Sequence, residues 1–160
     1  MRNKFNEQLV ELNNEMISMG IMIEALNNGN IELAGKIMEG DEQVDRAQKK
    51  IENICFNLIV EQQPVAKDLR TITAALKMVT DMERIGDHAA DISEITVFLA
   101  RNNIKVNFDH IGKMATETVM MLNHSIEAYV ERDREKARKV IEHDDVVDEL
   151  FNQVKDDIIA

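Results

Sequence analysis

Tryptophan is absent from this chain, proline and cysteine occur once each, and aromatic residues make up 4% of it. So few aromatics and a single Pro argue against a β-sandwich and for helices. The lone Cys55 excludes an intrachain disulfide. It follows Ile54 in a helical pattern and reads as a small core hydrophobe rather than a nucleophile. No apolar run approaches the roughly 20 residues of a membrane span. The opening stretch MRNKFNEQLV lacks the apolar region of a signal peptide. The expectation is a soluble, cytoplasmic protein without membrane insertion. Positive charge is also scarce, with 19 Lys and Arg against 30 Asp and Glu, a net charge of −11. Such a chain is repelled by nucleic acid and by anionic lipid headgroups, which makes both poor partners. It would attract cations or a basic protein surface, or simply keep a solvated acidic face.

A length of 160 residues suits one domain or a pair of small helical units, and a hydrophobic content of 44% can fill a core. Ten Met supply adaptable packing without loss of helix propensity. Apolar periodicity predicts five helices. The first covers 3–28, where Phe5, Leu9, Leu12, Met16, Met19, Ile23 and Leu26 repeat as a heptad. Asn27-Asn28-Gly29-Asn30 ends it, and Asn30 suits the next N-cap. The second covers 31–61 on Leu33, Ile37, Val44, Ala47, Ile51, Ile54 and Leu58, with Gly40 inside it as a close contact or a slight bend. Pro64 breaks the pattern near 62–65. The third covers 66–101, with a seam of Leu69, Ile72, Leu76 and Val79 that drifts to Met82, Ile85, Ala89, Ile92 and Leu99. Asn102-Asn103 ends it. The fourth covers 109–131 on Ala115, Val119, Leu122, Ile126 and Tyr129, and the fifth covers 134–160 after an Asp133 cap.

The fourth and fifth helices repeat the first and second at a shift of 103 residues. AGKIMEGDEQVD at 34–45 aligns with ARKVIEHDDVVD at 137–148, and the same shift superposes the preceding seams and the caps Asn30 and Asp133. The expected fold is therefore all-α, built from two copies of a helical unit. Residues 1–104 form a three-helix repeat and residues 105–160 a two-helix one. The second copy stops at Ala160, the counterpart of Asn57, so its third helix is absent. Two helices without a third leave apolar surface in water. The expectation is a shortened chain, or a gap filled by another subunit.

Carboxylates stand four residues apart at Asp41 and Asp45, at Glu83 and Asp87, and at Asp144 and Asp148. Such pairs lie on one helix face about 5–6 Å apart, and like charges there cost roughly 0.2–0.5 kcal/mol. A cation between them removes that cost. Carboxylate-only sites favour hard cations such as Mg²⁺, Ca²⁺ and Mn²⁺, or iron when several carboxylates converge. An acidic helical protein also carries such pairs as plain solvated faces. Here the recurrence of Asp41/Asp45 as Asp144/Asp148 in the two repeats raises the signal. His88 and His143 adjoin acidic pairs, as ligands or as surface histidines. None of the four histidines sits in Glu-x-x-His, so a ferritin-like di-iron site is not indicated. No phosphate loop, zinc spacing or nucleophile elbow occurs. Lys67, Arg70, Lys77 and Arg84 recur along one side of the third helix, where an anion or an acidic partner could dock. Local pairing with Asp68, Asp81 and Glu83 is the simpler account of Lys77 and Arg84.

The stretch QQPVAKDLRTITAALKMVTDMERIGDHAADI at 62–92 closely resembles the first-repeat signature of the PhoU family, and the likeness extends over essentially the whole chain apart from the last helix. The resemblance implies two three-helix units packed as a bundle, with E/D-x-x-x-D motifs that hold metal clusters on its surface. Those motifs map to Asp41 and Asp45, Glu83 and Asp87, and Asp144 and Asp148. The implied metal is iron, zinc, manganese or magnesium. The implied role is not enzymatic. It is negative regulation of phosphate uptake and of the phosphate-starvation response, as an adaptor between the phosphate-transport ATPase subunit and a sensor histidine kinase. Homo-oligomers, commonly dimers, are implied too, and Lys67 and Arg70 are the partner-binding candidates. The competing readings are a carboxylate-bridged metal-dependent enzyme and a purely structural coiled-coil spacer.

Overall fold

The computed structural model describes residues 34–104 and 109–159. The helix expected over 3–28, its Asn-Gly stop and the seam residue Leu33 lie outside the described residues. Four helices are described: α1 (Ala34–Gln62), α2 (Ala66–Arg101), α3 (Asp109–Glu131) and α4 (Arg134–Ile159). No strand occurs among the described residues. The chain divides into two compact units, Met1–Phe98 and Leu99–Ala160.

In the first unit α1 and α2 run antiparallel. Cys55 of α1 lies against α2, its thiol donating to the Ile72 carbonyl at 3.9 Å, while Val44 lies against Gly86. α1 runs unbroken through Gly40. Its buried stripe is Val44, Ala47, Ile51, Ile54, Cys55 and Leu58, which is the predicted heptad from Val44 onward with Cys55 added; the side chain of Ile37 lies outside those described. On α2 the buried stripe is Ile72, Ala75, Val79, Met82, Gly86 and Ala89. This differs from the predicted seam. Leu76 and Ile85 are only half-buried, and Leu69 and Ile92 are exposed. Ala75 and Gly86 take the places in the stripe that Leu76 and Ile85 were expected to hold, and those two stand at its flanks beside the buried Ile72, Val79 and Met82. Fully burying a Val, Leu or Ile side chain contributes about 1.5–3 kcal/mol, so this stripe holds the hairpin closed.

The helix ends follow backbone rules. Gln63 takes a left-handed φ of 45° ahead of Pro64, which has no N–H to continue the helix. Past the end of α2, Asn103 takes a φ of 53°, and the Ile104 N–H closes back on the Leu99 carbonyl at 3.0 Å. α3 ends the same way. Arg132 has φ 57°, its N–H reaches the Tyr129 carbonyl at 3.2 Å, and the Asp133 N–H reaches the Ala128 carbonyl at 2.9 Å. These are Schellman closures, which satisfy carbonyls that have no intrahelical partner. Asp133 then caps α4, its carboxylate accepting from the N–H groups of Glu135 at 2.9 Å and Lys136 at 3.0 Å.

The second unit is an antiparallel α3–α4 hairpin. Leu122, Ile126 and Ala128 of α3 are buried, whereas α4 buries no residue among those described. Polar rungs join the two helices: His143 with Glu117 at 2.6 Å, His110 with Asp157 at 2.6 Å, and Lys136 with Glu127 at 3.0 Å.

Two expected outcomes follow from this packing. The N–H of Lys136 and, after it, that of Glu135 hold the Asp133 carboxyl below the usual aspartate range, against some desolvation. A depressed carboxyl stabilises the fold above the unfolded value, and that contribution is lost as pH falls through the folded one. Thermal unfolding at pH 7 and about pH 3 should therefore show a larger acid loss in the parent chain than in Asp133→Asn, whose amide caps at both pH values. In the core, burial, with Glu52 second, pushes the Cys55 thiol up to about 11. Iodoacetamide at pH 8 should alkylate the folded chain about a hundredfold more slowly than the urea-unfolded chain.

Candidate metal centre

Three of the predicted ligands meet. Asp45 comes from α1, and Glu83 and Asp87 from one face of α2. One ligand oxygen from each lies within 4.8 Å of the other two. Asp45 and Glu83 are half-buried, and Asp87 is exposed. The seam explains the meeting. Asp45 follows the fully buried Val44, and Glu83 and Asp87 bracket the buried Gly86 at which α2 touches Val44. The two acidic side chains of α2 are spaced one turn apart and thus rise on the same side.

The donor set fits a hard cation. All three donors are carboxylate oxygens, the choice of Mg²⁺, Ca²⁺, Mn²⁺ and trivalent iron rather than of metals that prefer sulfur or imidazole. Oxygens around one Ca²⁺ at about 2.3–2.6 Å lie at most about 5 Å apart. A group spanning 4.8 Å therefore needs only rotamer adjustment to surround one ion. Asp45, Glu83 and Asp87 would hold it, and exposure at Asp87 leaves one side open to water.

The other expected ligands are placed differently. Asp41 lies on α1, but its side chain is outside those described. Asp144 and Asp148 lie on α4, both exposed, and join no group of three ligands among the described residues. His143 is turned to Glu117 of α3. His88 is exposed, 4.0 Å from Asp91. Lys67 and Arg70 are exposed in the first turns of α2. Arg84 stands 3.7 Å from Asp81 in an exposed pair.

A second feature was not singled out from the sequence. A cleft of about 480 Å³ opens at the turn end of α3 and α4, lined by Met120, Met121, His124, Lys136, Val140 and His143 among others. Hydrogen bonds to Glu131 and then Glu127 push the Lys136 amine up to about 12, and Lys136 in turn holds the Glu127 carboxyl low. The Glu117–His143 and His110–Asp157 contacts join residues far apart in sequence, whereas those of Lys136 span only the turn. Their only sequence signal is rough symmetry about the Arg132–Asp133 turn. None of the six predicted carboxylate ligands lines the cleft, though His143 does.

The PhoU domain family matches residues 8–96 and 111–160. Phosphate-specific transport system accessory protein PhoU homologs are similar over nearly the whole chain. The one from Clostridium acetobutylicum is 38% identical over 99% of this chain and 76% of its own length, and the one from Aquifex aeolicus 35% over 98% and 75%. Among solved structures, PhoU from Pseudomonas aeruginosa superposes with a TM-score of 0.90 at 24% identity, over 97% of this chain and 78% of that one. The phosphate transport system regulatory protein PhoU from Streptococcus pneumoniae gives 0.83 at 25%, over 97% and 77%. With its all-helical repeats and its family match over both, this chain belongs to the PhoU family.

Proposed function

We propose that this chain is an accessory regulator of phosphate transport that restrains phosphate uptake and the phosphate-starvation response. In this reading it is a metal-binding adaptor between the phosphate-transport ATPase subunit and a sensor histidine kinase, acting in the cytoplasm as a homo-oligomer. The observation that carries the reading is its kinship, over nearly its whole length, with accessory proteins of phosphate-specific transport. No helix among the described residues is long and apolar enough to cross a membrane, so association with a transporter would run through protein contact.

The meeting of Asp45, Glu83 and Asp87 supports metal binding. A hard divalent or trivalent ion is the cofactor this donor set favours. One structural feature speaks against a thiol enzyme. Cys55 is buried with its thiol pushed up to about 11, the opposite of an activated nucleophile. Lys67 and Arg70, exposed on a chain of net charge −11, are the side chains proposed to meet an acidic partner surface.

Metal titration of the full chain should show Glu83→Gln binding at least about tenfold more weakly than the parent. Metal-dependent turnover that disappears in Glu83→Gln would instead establish an enzyme. For the partners, pull-down with the kinase and with the transport ATPase subunit, with and without metal, is expected to capture both. Charge reversal in Lys67→Glu/Arg70→Glu should reduce the capture severalfold, with a steeper salt dependence in the parent. Equal capture by parent and variant would remove these two residues from the interface.

A further inference from the structure

Gly86 occupies a helical position, and no described glycine has a positive φ. Backbone freedom is therefore not what a glycine supplies there. In a helix interior glycine costs about 0.5–1 kcal/mol relative to alanine, so its presence calls for another reason. That reason is room. A Cβ at Gly86 would lie 3.0 Å from Val44 Cγ1 and 3.6 Å from both Val44 Cβ and Cγ2. Val44 is fully buried and β-branched, with one strongly preferred rotamer in a helix, so it cannot swing clear. A methyl group at Gly86 requires Val44 to give by a few tenths of an ångström, and with Val44 fixed in its rotamer that shift falls on the spacing of α1 from α2.

That contact lies at the level of the carboxylates. Asp45 is the residue after Val44, Asp87 is the residue after Gly86, and Glu83 is one turn before it. We propose that Gly86, by seating Val44 against the bare backbone of α2, is the positioning residue that sets the span of Asp45, Glu83 and Asp87 and thereby the size of cation they hold. The inference rests on the metal-binding reading above. Mg²⁺ demands oxygens at about 2.0–2.1 Å in near-octahedral array, whereas Ca²⁺ accepts about 2.3–2.6 Å in flexible geometry. A wider helix gap therefore penalises the smaller ion more.

The test is calorimetric titration of the full chain with Mg²⁺ and with Ca²⁺, alongside circular dichroism to check helicity. Gly86→Ala is expected to weaken Mg²⁺ about tenfold and Ca²⁺ by about threefold or less. The double variant Gly86→Ala/Val44→Ala should restore the Mg²⁺/Ca²⁺ preference to within about threefold of the parent. Gly112→Ala, where an added Cβ meets nothing within 4 Å, should leave it unchanged. Val44→Ile presses on the same contact from α1 and should shift the preference in the same direction, which decides the matter even where Gly86→Ala does not fold. An unchanged Mg²⁺/Ca²⁺ preference in Gly86→Ala, or in Val44→Ile, overturns the positioning role while leaving metal binding intact. A parent chain that binds neither ion overturns the metal reading and this inference together.

Discussion

The buried apolar seam between α1 and α2, with Val44 seated against Gly86, is the constraint on which the first unit depends. Val44, Ile51 and Leu58 of α1 and Ile72 and Val79 of α2 are all fully buried, and each such side chain contributes about 1.5–3 kcal/mol. Against this stands the mutual repulsion of three carboxylates, about 1 kcal/mol per pair at 4 Å in water. The seam wins by a wide margin. The acidic side chains can therefore be held together by apolar packing, with no cation needed to keep the helices paired. Preorganisation of this kind shifts the cost of assembling the ligands from binding to folding.

The second unit shows what the same motif does without that seam. By the internal repeat, Val147 and Val154 of α4 stand where Val44 and Ile51 stand in α1, yet they are only half-buried. Asp148 is the counterpart of Asp45, and it is exposed with no pair of carboxylates beside it among the described residues. Polar side-chain contacts join α3 to α4. Exposed ion pairs are individually weak, with a median of about 0–1 kcal/mol. The rungs from His143, His110 and Lys136 thus accompany the burial of Leu122 and Ile126 rather than replace it. An Asp-x-x-x-Asp pattern fixes two side chains on one face. Only a second helix bearing acids of its own turns that pattern into a ligand set.

This contrast explains what the sequence disclosed. Helix limits were legible because their signals are local: Pro64, Asn103 and the Asp133 cap each act within one turn. The seam of α1 was legible too, since bulky apolar residues dominate it. The seam of α2 was only partly so. A reading that follows hydrophobic bulk picks Leu76 and Ile85, whereas a close helix contact selects Ala75 and Gly86, which carry little bulk to notice. The spacing of their pairs and the family likeness single out Asp45, Glu83 and Asp87 as ligands, but their meeting depends on the pairing of α1 with α2. The Glu117–His143 and His110–Asp157 rungs depend on the register of α3 against α4, which no local pattern encodes.

The exposure of the ligands bears on what kind of site this is. A structural metal site closes its coordination shell with protein atoms, whereas a working one leaves positions open. Here two ligands are half-buried against the seam and the third, Asp87, faces solvent. In the proposed reading, the inner pair anchors the ion to the hairpin and the outer side stays available to water or to an acidic group on a partner. A divalent ion there also cancels most of the charge of the three carboxylates, on a chain that is otherwise strongly acidic. The local surface then changes from one that repels an acidic partner to one that can accept it. Because the seam already holds the carboxylates in place, this change of charge would need no rearrangement of the helices, and in the proposed reading a partner docking on that face would sense metal occupancy through charge alone.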